Sequence, residues 1–141
     1  MKKFSIISID SVDGHERTAT IEEIGLNNSL TVHFIEFGEY LDSGESSVCK
    51  KAGDIIYGNI SVGLVSSSQL TDEKISHYYP RILGSSWIVA VVEVTRIVDD
   101  FSLYAISSIL NEEILVEFEN KVNYQPGNRI RLSGSLELEE P

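Results

Sequence analysis

Ser47-Val48-Cys49-Lys50 sets a lysine three residues after a serine. On one turn of a helix, that spacing lets an amine activate a hydroxyl. Here the match falls in a stretch rich in Ser, Gly and Glu, with no companion motif, so the spacing is coincidental. Cys49 as a nucleophile would need a depressed pKa and a nearby base. Lys50 and Lys51 would favour the thiolate and His33 or His77 could approach, but no helix start supports it. His15, His33 and His77 lie far apart in the chain and show no local ligand spacing. His33 sits between Val32 and Phe34 and reads as a half-buried strand residue on the opposite face. Asp10, Asp13-Gly14 and Glu16 have the composition of a calcium loop without its regular ligand positions. Glu22/Glu23 and Glu112/Glu113 are adjacent pairs, and neighbours on a strand point to opposite faces, so neither pair can flank one substrate bond. No glycine-rich phosphate loop and no nucleophile elbow occurs. The expectation is a protein with no catalytic centre, no metal and no cofactor.

The charge balance narrows the partners. The chain of 141 residues carries 11 Lys+Arg against 22 Asp+Glu, a net charge of -11. Binding to a phosphate backbone begins with Lys and Arg replacing counterions, so nucleic acid is disfavoured. An anionic membrane surface is disfavoured for the same reason. One cysteine excludes an internal disulfide. The N-terminal stretch has two lysines before an apolar segment, but Asp10 interrupts it too early for a signal peptide. The longest apolar run, Trp87 to Val92, is far shorter than the roughly 20 residues of a membrane span. A cytoplasmic protein is expected.

The elements that must position these residues are strands. Period-2 alternation and β-branched residues predict eight of them, over 4–12, 18–26, 29–37, 54–65, 87–98, 102–110, 113–119 and 129–138. Asp13-Gly14, Asn27-Asn28, Asp99-Asp100 and Asn111-Glu112 supply the turns. One short helix is predicted over 71–79, with Thr71 as N-cap, acids in its first turn and Pro80 as its stop.

An internal repeat is visible when residues 19–34 are set above residues 104–118. With Gly25 unmatched, identical pairs are Ile21/Ile106, Ile24/Ile109, Leu26/Leu110, Asn27/Asn111, Val32/Val116 and Phe34/Phe118. Loops ending in Gly53-Asp54 and Gly127-Asn128 occupy corresponding places. The sequence predicts a single compact all-β domain over 1–141, from two similar four-stranded units, 4–64 and 87–138, joined by 65–86. Four strands with one apolar face rarely stand alone, so the units are expected to share a core as one barrel or sandwich. A long strand, a meander and then Pro126-Gly127-Asn128-Arg129-Ile130-Arg131-Leu132-Ser133-Gly134-Ser135-Leu136 resemble the closing strands of OB-type barrels, with Gly134 at a bend or bulge. That resemblance implies a nucleic-acid or sugar-binding face, which the ten acids and four bases of residues 89–141 do not suit.

Two acidic sets stand out. Glu36, Glu39, Asp42 and Glu45 recur every three residues after the third strand, with Tyr40 among them. Asp99, Asp100, Glu117 and Glu119 fall on a turn and a strand of the second half. Acids steer a basic protein and an aromatic anchors it, so these nine residues are the candidate partner-binding set. In size and charge the chain resembles the immunity proteins that bacteria make against their own nuclease toxins. That resemblance implies a non-enzymatic protein that neutralises a basic partner, such as a nuclease toxin. The alternatives are a small-molecule or carbohydrate-binding barrel walled by Tyr57, Tyr78, Tyr79, Trp87 and Tyr104, and a structural subunit of a larger assembly.

Overall fold

In the computed structural model, alternation becomes burial: Phe4, Ile6, Ala19, Ile21, Leu30, Val32 and Phe34 are all buried, while residues between them are half-buried or exposed. The structure describes residues 2–13, 15–26, 28–36, 50–82, 84–110 and 112–140, the side chains of 11–13 excepted. These form nine strands: β1 (Lys2–Asp13), β2 (Glu16–Glu23), β3 (Ser29–Ile35), β4 (Ile55–Leu70), β5 (Tyr78–Pro80), β6 (Trp87–Asp99), β7 (Ser102–Ile106), β8 (Glu113–Phe118) and β9 (Arg129–Glu139). They hydrogen-bond in one sheet in the order β1-β2-β3-β9-β4-β8-β7-β6-β5. The added pairings β1–β4 and β9–β6 make the hydrogen bonding ring-like. The all-β expectation holds. No helix exists among the described residues, so none is long and apolar enough to cross a membrane.

The chain divides into two compact units, Met1–Asn59 with Leu138–Pro141, and Ile60–Glu137. In the first, β1, β2 and β3 form an antiparallel meander, and β1 also pairs with the start of β4 from Lys2↔Gly58 to Ser5↔Ile55. Phe4, Ile21 and Ile56 are fully buried there, each stabilising by roughly 1.5–3 kcal/mol over its exposed state. In the second, β6, β7 and β8 form the meander, β6 pairs antiparallel with β9, and β8 runs parallel to β4. Ile88, Ala90, Val92, Leu103, Val116, Ile130 and Leu132 are buried in that unit.

The two meanders carry the same irregularities. β1 breaks register between Ile6 and Ser8, and β6 breaks it between Val94 and Arg96. Such a bulge disturbs the ladder, and the backbone groups beside it need other partners. In the first unit a glycine turn supplies them. Gly53 N–H donates to Ile6 O at 2.8 Å, Ile6 N–H to Asp54 O at 2.9 Å, and Asp54 N–H to Lys51 O at 3.0 Å. The Asp54 carboxylate accepts from Lys51 N–H at 3.0 Å. In the second unit Gly127, Val94, Asn128 and Gln125 repeat these bonds in the same order, at 2.8, 2.8 and 3.0 Å. Asn128 Oδ1 accepts from Gln125 N–H at 2.8 Å. Gly53 and Gly127 have φ of 93° and 92°, a left-handed conformation that glycine adopts without steric cost.

Strand register corrects the repeat alignment on its second strand. Ala19 pairs with Val32 and Ile21 with Leu30, while Leu103 pairs with Val116 and Ala105 with Ile114. With Val32 matched to Val116, Ala19 therefore matches Leu103 and Ile21 matches Ala105, with no gap. Leaving Gly25 unmatched had set buried Ile21 against exposed Ile106, and exposed Ile24 against buried Ile109. A one-residue slip on a strand exchanges its faces. The matches Leu26/Leu110, Asn27/Asn111, Val32/Val116 and Phe34/Phe118 hold in the ungapped register.

The predicted helix over 71–79 is not formed. Its N-cap bond exists, since Thr71 Oγ1 accepts from Glu73 N–H at 3.3 Å. Propagation would then need Glu73 C=O to accept from His77 N–H. Instead, that carbonyl accepts from Arg129 Nε at 2.6 Å, and the Glu73 carboxylate meets Arg131 at 3.2 Å and His77 at 3.0 Å. A helix this short lacks the length to repay nucleation, and the cross-chain bonds win. The segment continues into β5, which sequence reading did not anticipate. β5 pairs with β6 through Tyr78↔Ala90, Tyr79↔Val89 and Pro80↔Ile88. Ala90, Val91 and Val92 are all fully buried, so β6 is covered on both faces there, which explains the unbroken apolar run Trp87 to Val92.

Gly134 marks no bulge against β6, since its pairing with Ile88 continues smoothly into Ser133↔Val89. It allows a close approach of β4. A Cβ there would stand 2.8 Å from Gly63 O, 2.8 Å from Val62 Cγ1 and 2.9 Å from Val65 Cγ2.

Candidate functional site

The first acidic set is only partly described. Glu39, Tyr40, Asp42 and Glu45 lie outside the described residues, as does Cys49. Glu36 is largely covered within its own unit. Its side chain is 14% exposed, its Oε2 accepts from Lys50 N–H at 2.9 Å, and Arg17 Nε lies 3.5 Å from its Oε1. It ties the strand end after β3 to β2 and to Lys50.

The second set is brought together by the second unit's meander. β6 and β7 meet in a tight turn at Asp99-Asp100-Phe101. The Asp99 carboxylate accepts from Phe101 N–H at 2.8 Å and from Ser102 Oγ at 2.8 Å. The Phe101 backbone bond, then the Ser102 hydroxyl, hold the Asp99 carboxyl below its ordinary pKa. Asp99 is therefore chiefly a turn former. Asp100 points to solvent with Lys121 Nζ at 4.0 Å, a separation worth little at an exposed site. The end of β8 runs beside this turn. Ser102 pairs with Glu117, Phe118 N–H donates to Phe101 O at 2.8 Å, and Val122 N–H donates to Asp100 O at 2.9 Å. Glu117 and Glu119 are both exposed. The structure thus gathers Asp100, Glu117 and Glu119 around the β6–β7 turn.

Sequence reasoning missed the apolar part of this surface. Val98 is 52% exposed and Phe101 44% exposed, on either side of Asp99-Asp100. Ile97 is exposed beside them. The signal was present: an aromatic and a valine flank a turn, where polar residues are the rule. Ile97, Val98 and Phe101 thus place three exposed apolar side chains within five residues at this turn.

The aromatics expected to wall a pocket each have contacts within their own unit. Tyr104 lies under the Arg96 guanidinium, 4.0 Å from its ring centre. Arg96 in turn bridges to Glu113 at 2.9 Å. Tyr79 OH accepts from Arg131 at 2.7 Å, and its ring stacks with His77. Tyr78 is half-buried, and desolvation raises its phenol pKa. Trp87 is partly exposed on β6, and Tyr57 in the first unit has Lys3 Nζ 5.9 Å from its ring centre. Three of these rings serve as platforms for cations.

Among the described residues, no group of three or more His, Cys, Asp or Glu side chains could hold a metal ion. His33 meets Glu16 at 3.2 Å, and His77 meets Glu73 at 3.0 Å, each across or along the surface of its own unit. The His77 bond is the chief cause of the lowered Glu73 pKa. Compared with known proteins, the chain matches no family model, and no curated protein and no solved structure is significantly similar to it.

Proposed function

We propose that this protein is a non-catalytic binding module that neutralises or sequesters a basic protein partner in the cytoplasm. In size and charge it resembles bacterial immunity proteins, whose partners are nuclease toxins. One observation carries the reading. Exposed Val98 and Phe101 stand at a rigid turn bordered by Asp100, Glu117 and Glu119. The apolar pair supplies an anchor, and the acids supply long-range attraction for a cationic surface. The Asp99 bonds hold the turn in shape before binding, which lowers the ordering cost of association. The order of strands in the second unit, with β8 parallel to β4 and β6 paired to β9, is compatible with an OB-type scaffold. On this reading its acidic turn replaces the usual basic face. Glu39, Tyr40, Asp42 and Glu45 are a second candidate surface for the same partner.

The test is a pull-down from source cells with the tagged chain, loaded at low salt and eluted by a salt gradient. A basic protein released at equal stoichiometry is the expected result. Association with that protein should slow in the double variant Glu117→Lys/Glu119→Lys and weaken in Phe101→Ser. Binding that ignores both variants removes the β6–β7 end from the proposal. The double variant Asp42→Lys/Glu45→Lys then decides whether the other acidic set carries the contact.

A further inference from the structure

A second surface of the same unit has different chemistry, and it does not depend on the reading above. β8 runs parallel to β4 as far as Val65↔Phe118, and Glu119 N–H donates to Val65 O at 3.0 Å. There β8 ends, while β4 continues to Leu70. The chain after Phe118 diverges from β4, and a cleft of about 390 Å³ opens between them. Ser66 and Ser68 line one wall, and Asn120, Asn123 and Tyr124 line the other. Phe118, nearly buried, contributes the floor. Tyr124 is fixed in place, because its hydroxyl bonds Ser68 Oγ at 2.8 Å and its ring tilts at 47° against Phe118.

We propose that this cleft binds an uncharged sugar of one or two rings. Its polar groups are hydroxyls and carboxamides, which both donate and accept hydrogen bonds, as sugar hydroxyls do. Among the described residues no carboxylate lines the cleft, so it offers a cationic ligand no direct ion pair there. Lys121 is the one cation lining it among the described residues, and that side chain is 73% exposed and turned toward Asp100. A chain of net charge -11 also repels anions from its surface. The fixed Tyr124 ring, backed by buried Phe118, gives the carbon face of a sugar an apolar surface to lie against. The volume is at the lower end of small-ligand sites, which span about 300–1,000 Å³.

The experiment is an NMR titration of the isotope-labelled full chain with cellobiose, maltose and N,N′-diacetylchitobiose at millimolar concentration, with glucose 6-phosphate as the anionic control. At least one neutral disaccharide should shift the signals of Ser66, Ser68, Asn120, Asn123 and Tyr124, and the phosphate should bind more weakly. Asn123→Ala should weaken that binding about tenfold, the loss expected for one well-placed hydrogen bond. Asn120→Asp keeps the side-chain shape, adds a charge, and should weaken it as well. Both asparagines are exposed, and an unchanged spectrum elsewhere shows the fold is kept. The proposal is overturned if none of the three disaccharides shifts the cleft signals, if shifts cluster elsewhere, or if glucose 6-phosphate binds more tightly. It is also overturned if both variants bind as the parent does.

Discussion

Replacing Gly134 by alanine should be among the most damaging single-methyl additions this chain can receive. The new Cβ would stand 2.8 Å from Gly63 O, 2.8 Å from Val62 Cγ1 and 2.9 Å from Val65 Cγ2. Unstrained carbon contacts lie near 3.5–4.0 Å, so several tenths of an ångström must be found somewhere. Gly63 O is backbone in the middle of β4, and Val62 and Val65 are buried, so no flexible group can yield. Gly134 has no positive φ, so alanine fits its backbone and recovers about 0.4–1 kcal/mol through the unfolded state, which the clash must outweigh. Overpacking of a close-packed interior costs about 1–3 kcal/mol, and the backbone contact places this case at about 2–3 kcal/mol. For a chain of this size about 4 °C of melting temperature is lost per kcal/mol, so Gly134→Ala should melt about 10 °C below the parent. Gly63→Ala is the matched control. Its Cβ would meet Glu137 Cγ at 3.2 Å, a flexible side chain that can swing aside. It should cost less than about 1 kcal/mol. Thermal and urea unfolding followed by circular dichroism measure both. Equal midpoints for Gly134→Ala and the parent would refute the close approach of β4 and β9 in the second unit.

Three further outcomes follow from the described contacts. Thr95 Oγ1 at 2.8 Å, then Arg96, hold the Glu113 carboxyl below its ordinary pKa. Its stabilising contribution is therefore full above the ordinary carboxylate range and is lost as pH falls through the lowered folded value. Glu113→Gln should be less stable than the parent at neutral pH, with the gap closing in acid; a gap that persists in strong acid contradicts this. Arg129 holds Glu73 C=O at 2.6 Å and Ser76 Oγ at 3.0 Å, so Arg129→Ala should release the 71–77 segment to fast hydrogen exchange and proteolysis. Protection equal to the parent's would show that other contacts pin it. Leu64 has φ of 53°, where a side chain costs roughly 1–2 kcal/mol. Leu64→Gly should raise stability by up to about 1 kcal/mol after glycine's own entropy is subtracted, and a clear loss in urea titration would contradict this strain.

The strands were legible because burial and period coincide in them. Leu30, Val32 and Phe34 alternate in the sequence and are buried in alternation on β3. The turns at Gly53-Asp54 and Gly127-Asn128 were legible as turns, but their common role on the bulges after Ile6 and Val94 was not. A bulge displaces one residue without changing composition, and nothing local announces it. The false helix over 71–79 has a similar origin. Thr71 does make its capping bond, yet the residue that takes Glu73 C=O is Arg129, far along the chain. Local propensity could not see that competitor. Of the candidate site, the grouping of Asp100, Glu117 and Glu119 depends on Ser102 pairing with Glu117, which follows once β7 and β8 are paired in register. The contacts that hold the Glu36 carboxylate, Arg17 and the Lys50 backbone amide, are not legible in three-residue spacing, because both come from elsewhere in the chain. Phe101 and Val98 went unnoticed because apolar residues near a turn read as strand ends.

Both long strands, β4 and β9, belong partly to each unit, and this governs the sequence of events by which the chain can reach its native state. Residues Ile60–Glu137 are contiguous, so every strand segment of the second unit lies within one uninterrupted stretch. The first unit is not contiguous. Leu138, buried beside Gly58, reaches it only after the chain has passed through the whole of the second unit. Closing a loop of that length costs entropy before any contact repays it, and contacts so distant in sequence slow folding. A ribosome-bound chain can build the β1–β2–β3 meander early, but that meander waits with one flank incomplete until β9 has emerged. In that interval its strand edge is the part of the molecule most open to wrong pairing, and a chaperone or a rapid second-unit collapse would shorten the exposure.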